Sequence, residues 1–274
     1  MSAERGESFL DRFRLGGKVA LVTGGSRGIG RSIALGLAEA GADVALASRK
    51  LPDLEAVAQE ITSKGRKALP VAANVRHLPE IDSVVEKTMS EFGRIDVLVN
   101  NAGTNVVFDS VFNLDEKVWD VIIGLNLKAC FFLSQAVGQI MRDKGGGSII
   151  NIASEEGIRP GIGRGIYAIS KAGVIMLTQV LAQEWGQYGI RANAIAPAVV
   201  KTRLSAALWS DPVIRARTED NTALGRIAEP EEMVGAALFL ASDASSYMTG
   251  QTLALNGGHY ASVKTLLSTI PQKE

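Results

Sequence analysis

The chain has 274 residues and a mass of 29.0 kDa, 46% hydrophobic and 21% charged, enough for a full hydrophobic core without a disulfide or metal staple. Its 29 basic and 29 acidic residues cancel, which argues against the basic footprint of a nucleic-acid-binding domain, and one cysteine with two histidines leaves no internal disulfide and no Cys/His zinc site. No signal-type apolar stretch opens the chain and no run of 18 apolar residues occurs in it, so a soluble, cytoplasmic protein without a membrane partner is expected.

In chain order, short β-branched runs alternate with amphipathic stretches. Residues 18–23 (KVALVT) are apolar on both faces, as a buried parallel strand is. A glycine-containing loop follows, then a helix over 29–40 that Gly41 ends. The pattern repeats as strand 43–48, helix 51–64, strand 67–72, helix 79–92 and strand 95–99. A long helix is predicted over 115–142, stopped by glycines at 145–147, then strand 148–152, helix 165–185, strand 190–196 and a last strand at 253–255. Single helices between strands imply right-handed crossovers. The fold class is therefore α/β: one doubly wound domain over 16–258, with a mainly parallel seven-stranded sheet and helices on both faces. Residues 1–15 and 259–274 are extensions to it, with 1–15 and 262–274 expected to be mobile. The long mixed segment 197–227 is expected to fold over a site as a lid.

The stretch 23–30 (TGGSRGIG) ends the first strand and opens the first helix. Gly24, Gly28 and Gly30 would let a pyrophosphate reach the backbone amides and the helix N-terminus, although a glycine turn there also serves packing alone. The second strand ends in Ser48, Arg49 and Lys50, with no acid to hold a ribose 2′-hydroxyl, and Arg27 sits in the glycine loop. Two guanidiniums suit a 2′-phosphate, so NADP(H) is favoured over NAD(H). The same charges also fit a solvated strand end.

Tyr167 and Lys171 stand at i and i+4 on one helix face. An ammonium beside a phenol favours phenolate and is expected to lower its pKa from about 10. Such a tyrosine can protonate a ketone oxygen as hydride arrives, or deprotonate an alcohol in reverse. Ser154 could hydrogen-bond the same oxygen, and Asn126 could supply a polar relay. Taken singly, the Tyr/Lys pair fits an exposed helix face and the asparagine a local hydrogen-bonder.

Together these features resemble the short-chain dehydrogenase/reductase family in its single-domain form. TGGSRGIG at 23–30, NNAG at 100–103, Asn126 in GLNLKA, Ser154-x12-Tyr167-x3-Lys171, IRANAIAPAVVKT at 190–202 and MTGQTLALNGG at 248–258 occur in the family's order and spacing, over about residues 15–258. The resemblance implies a Rossmann-like fold and NADP(H)-dependent interconversion of a carbonyl and a secondary alcohol. Tyr167 would be the acid/base, Ser154 would orient the substrate oxygen, and Asn126 would anchor a water. Lys171 would lower the tyrosine pKa and hold the nicotinamide ribose. Gly24, Ser26, Arg27, Gly28, Ile29, Gly30, Ser48, Arg49, Asn74 and Val75 would bind the cofactor. Asn101, Ala102 and Gly103 would pass its adenosine-side ribose, and Pro197, Val200 and Thr202 would contact its nicotinamide end.

Three departures stand out: Asn74 where the family often has an acid near the adenine, Ala198 for the glycine usual after Pro197, and Glu155-Glu156 where small or apolar residues are common. The two carboxylates are read as pointing into water; facing the pocket, they would disfavour anions and suit hydroxyls or cations. The substrate is expected to be a small ketone, ketosugar or polyol. The alternative is a 3-oxoacyl-thioester (acyl-carrier-protein) reductase, against which Gln187 and Tyr188 stand where basic residues would complement Arg142 and Lys144. A remote alternative is a non-catalytic NADP-binding regulator, which should lack the tyrosine or the lysine. The resemblance also implies a homotetramer, and the apolar girth of helix 115–142 fits burial on more than one side. Cys130, Trp119 and Trp185 read as packing residues, and His77 and His259 as without a catalytic role.

Overall fold

Seven short strands carry the fold: β1 (Val19–Thr23), β2 (Asp43–Ser48), β3 (Ala68–Ala72), β4 (Val97–Asn100), β5 (Gly147–Ile152), β6 (Ile190–Pro197) and β7 (Thr252–Leu255). They form one all-parallel sheet in the order β3-β2-β1-β4-β5-β6-β7 in a computed structural model that describes residues 8–106 and 109–259. The helices are α1 (Gly28–Glu39), α2 (Leu51–Ser63), α3 (Leu78–Phe92), α4 (Glu116–Ile123), α5 (Ala129–Asp143), α6 (Gly165–Trp185), α7 (Pro212–Asp220) and α8 (Val234–Ala241).

Alternate residues of the central strands feed two separate cores. Leu21 joins Ile81, Leu133 and Val174 from α3, α5 and α6 on one face. Ala20 and Val22 join Ile33, Leu54 and Leu240 from α1, α2 and α8 on the other. Burial on both faces is why the strand sequences show no polar alternation. The chain winds outward from β1 to β3, then returns to place β4 on the other side of β1. That reversal opens a crevice at the carboxyl ends of β1 and β4, where ligands bind in sheets of this kind.

The predicted helix over 115–142 is realised as α4, a π turn at Gly124–Lys128 and α5, without a break from Glu116 to Asp143. Its start is set by Asp115, whose side chain accepts from the Val118 N–H at 2.8 Å. This helix and α6 are long and apolar enough to cross a membrane by length and composition alone, yet here they line the sheet, with Leu133, Val137, Leu177 and Leu181 buried. Several large apolar side chains on these helices stay exposed: Trp119, Phe131, Ile169, Met176 and Val180. Trp119 is thus not the packing residue expected, whereas the ring of Trp185 lies over Gly138, where a Cβ would meet it at 2.5 Å. Cys130 is buried, as expected.

Residues 9–13, read as part of a mobile extension, form a short 3₁₀ turn instead. Phe13 packs its ring 6.4 Å from that of Phe239 on α8, and Leu15 is fully buried. Two apolar anchors within seven residues hold this segment. The expectations for residues 1–7 and 260–274 lie outside the described residues.

Candidate active site

The first part of the site is the loop between β1 and α1. Gly24 has a left-handed φ of 65°, and a Cβ there would meet the Asn101 amide at 2.6 Å. Its N–H donates to the Ala47 carbonyl at 2.7 Å. Gly28 (φ 54°) starts α1, and no side chain caps that helix. Its first-turn amides have no partner within the helix and face the sheet's carboxyl edge. β1 pairs Thr23 with Ala47, so Ser48 and Arg49 leave the sheet at the same carboxyl edge as the glycine loop. Arg27, Arg49 and Lys50 are exposed and make no ion pair among the described residues. An uncapped helix terminus with unneutralised cations next to it fits a phosphate-bearing ligand.

Asn74 and Val75 extend this edge beyond β3, joined to it by the Ala73 N–H bond to the Ser48 carbonyl at 2.8 Å. Val75 is buried, and Asn74 turns its Oδ1 toward the Arg76 N–H at 3.4 Å within its own turn. Asn101, expected beside a ribose, uses its side-chain amide to tie the glycine loop, donating to the carbonyls of Thr23 at 2.8 Å and Gly24 at 3.2 Å. The Ala102 N–H donates to Thr23 Oγ1 at 3.1 Å.

The shelf runs into a cavity of about 560 Å³ that gathers Ile29, Asn101, Gly103, Ser154, Tyr167, Lys171, Pro197, Val200 and Thr202. Gly24, Ser26, Arg27, Gly28, Gly30, Ser48, Arg49, Asn74, Val75, Ala102 and Asn126 lie outside its wall. Segment 197–227 contributes Leu204, Leu208 and Thr222 to the wall, pinned by the Trp209 Nε1 bond to the Thr202 carbonyl at 3.1 Å.

Ser154 lies two residues beyond β5 and is buried; its hydroxyl accepts from the Glu156 N–H at 3.2 Å. Lys171 is 5% exposed. Its Nζ donates to the Ile152 carbonyl at 2.7 Å and lies 5.8 Å from the centre of the Tyr167 ring. Burial pulls this lysine down to about 8. The spacing predicted a tyrosine lowered by that ammonium, but the direction here is opposite. Protein packed around the phenol raises its pKa, against a hydrogen bond to Ser154 and the charge of Arg164, with Glu156 adding to the rise.

Asn126 lies in the π turn, 2% exposed. Its Oδ1 accepts from the Thr104 N–H at 2.8 Å, while Nδ2 donates to the Thr104 carbonyl at 2.9 Å and to Ser170 Oγ at 3.0 Å. The extra residue of a π turn rotates one side chain inward; here it locks loop 101–105 to α6.

Glu155 and Glu156 overturn their solvent reading, because both border the cavity. Glu155 is 6% exposed, with Oε1 accepting from Asn256 Nδ2 at 3.1 Å and Oε2 lying 2.9 Å from His259 Nδ1. Glu156 accepts from the Gly161 N–H at 2.6 Å and lies 3.5 Å from Arg164. Donors brought from elsewhere offset the penalty that made burial unexpected. His259, which showed no partner in the sequence, is therefore part of the cavity wall. Asn105 also borders the cavity, and no sequence signal marked it; both of its amide atoms are buried with no partner among the described residues.

A family model described as enoyl-(acyl carrier protein) reductase matches residues 24–260. The 2-dehydro-3-deoxy-D-gluconate 5-dehydrogenase of Escherichia coli (strain K12) is 39% identical over 92% of this chain and 99% of its own. The 3-oxoacyl-(acyl-carrier-protein) reductase of Thermotoga maritima is 40% identical over 89% and 98%. A solved gluconate 5-dehydrogenase from Burkholderia cenocepacia J2315, in complex with NADP and tartrate, superposes with a TM-score of 0.88 at 35% identity, covering 96% of this chain and 100% of that one.

Proposed function

The chain belongs to the short-chain dehydrogenase/reductase family and is an oxidoreductase acting on CH–OH groups, and from that premise we propose that it uses NADP(H) to interconvert a small ketone, ketosugar or polyol with Tyr167 as acid/base. The observation that carries this reading is the convergence of Tyr167, Ser154 and Lys171 on one cavity that continues the glycine-loop shelf.

When bound, the dinucleotide supplies or accepts hydride at the substrate carbon. The chain's own residues manage the oxygen. A phenol held above its ordinary pKa stays protonated at neutral pH, so Tyr167 is poised to donate to a carbonyl oxygen as charge develops on it. Ser154 donates to the same oxygen and orients it. Lys171, fixed by the Ile152 carbonyl, brings positive charge beside both. Asn126 positions the loop that follows β4.

Arg27 and Arg49, with no acid at the end of β2, support NADP(H) over NAD(H), as does the NADP in the Burkholderia relative. The sugar-acid relative from Escherichia coli supports a hydroxylated substrate. The thioester alternative draws on the Thermotoga relative, but Gln187 and Tyr188 offer a carrier protein no cation after α6. We read the molecule as cytoplasmic and as a homotetramer, the assembly supported by the exposed apolar side chains on α4, α5 and α6.

The test is NADPH oxidation across ketosugars, simple ketones and acetoacetyl-CoA, with Tyr167→Phe beside the wild type. We expect turnover of ketosugars or ketones, and a loss of about 10²–10⁴-fold in the variant with NADPH affinity kept. Full turnover by the variant overturns the mechanism, and turnover confined to acetoacetyl-CoA establishes the alternative.

A further inference from the structure

Glu155 directly follows the serine proposed to orient the substrate oxygen, and its carboxylate is almost wholly buried in the cavity wall. A carboxylate is stable there only where donors meet it. Asn256 and His259 provide one to each oxygen, at 3.1 and 2.9 Å. A carboxylate offers about four acceptor directions, so two protein donors leave it with capacity to accept more. Glu156 differs, because Gly161 and Arg164 hold it within its own loop.

A second feature agrees. Asn105 borders the same cavity with its amide donor and acceptor both unpaired among the described residues. An alkyl or acyl chain would leave the Asn105 amide unmatched, at a cost in desolvation, and would not use the remaining acceptor capacity of Glu155. A hydroxyl can donate to Glu155 and exchange hydrogen bonds with Asn105.

We propose that Glu155 is a specificity-determining residue that accepts a hydrogen bond from a substrate hydroxyl beside the reacting carbon, so that the enzyme selects hydroxyketones and polyols. The proposal rests on the carbonyl-reductase reading above and narrows its substrate class. Asn105 adds polar matching to the same wall.

Erythrulose and 2-butanone share a four-carbon 2-ketone skeleton and differ in their hydroxyls, which makes them the probes. With saturating NADPH, the wild type should favour erythrulose in kcat/KM by at least tenfold. Glu155→Leu should reduce that ratio at least tenfold, chiefly through the KM for erythrulose, and Glu155→Gln, which still hydrogen-bonds, should recover part of it. NADPH titration and thermal unfolding check that each variant is folded; should Glu155→Leu fail to fold, the ratio in Glu155→Gln decides. An equal loss on both ketones would make Glu155 only a prop for the segment after β7 and overturn the proposal. So would a wild type with no preference, or one that turns over acetoacetyl-CoA alone, while leaving the oxidoreductase assignment intact. Failure of the broader reading looks different: NADPH binds, but no carbonyl is turned over.

Discussion

Thr23 accepts two hydrogen bonds from Asn101. The Asn101 N–H donates to Thr23 Oγ1 at 3.0 Å, and its side-chain amide donates to the Thr23 carbonyl at 2.8 Å. The segment that follows β4 thereby shapes the glycine loop at the end of β1. Asn101→Ala removes a donor shared by the Thr23 and Gly24 carbonyls, and a net hydrogen bond of this kind is worth about 1 kcal/mol. We expect the NADPH dissociation constant, read from cofactor fluorescence, to rise about fivefold, since 1.4 kcal/mol is about tenfold. An unchanged constant would mean that the loop keeps its shape without Asn101.

Arg49 stands exposed beside the glycine loop without an ion-pair partner among the described residues. A hydrogen bond to a charged group contributes about 1.5–3 kcal/mol. Arg49→Glu should therefore lower the NADPH/NADH ratio of kcat/KM by roughly 10- to 100-fold, through loss of attraction and new repulsion of a 2′-phosphate. A ratio that does not move would remove Arg49 from cofactor selection.

Burial takes Lys171 from 10.5 to about 8. Below pH 8 it is protonated in both folded and unfolded chains, and the penalty for burying the ammonium is fully present. Between about 8 and 10.5 the unfolded chain holds a proton there that the folded chain has lost, so this residue's contribution to stability rises with pH. Lys171→Met should melt above the wild type near pH 7, with the difference shrinking from pH 8 to pH 10. A constant difference in calorimetric midpoints would show that the lysine is not depressed.

Ile169, Met176 and Val180 are spaced to share one face of α6, and all three are exposed. An apolar stripe of this kind marks a contact surface. Met176→Glu should lower the molar mass measured by light scattering from that of the proposed tetramer to that of a smaller species. A tetramer that persists would put its contacts on other faces.

Much of the fold could be read directly. Strands buried on both faces leave unbroken apolar runs, and the helices between them show their periodicity, so the seven parallel strands follow from local pattern. Tyr167 and Lys171 were legible because one helical turn joins them, and the glycine loop because its spacing is local. The π turn that carries Asn126 inward has no such signature, since one extra residue in a helix leaves the composition unchanged.

What only the tertiary structure decided are the properties set by distant parts of the chain. Glu155 reads as solvated because lone carboxylates are rarely buried, and it is buried here because Asn256 and His259 arrive from beyond β7 to meet it. The direction of the Tyr167 shift follows the same logic. A neighbouring lysine is visible in the sequence, but the protein packed around the phenol is not, and desolvation outweighs the charges nearby. Periodicity records which residues face inward; only the assembled sheet determines what they find there.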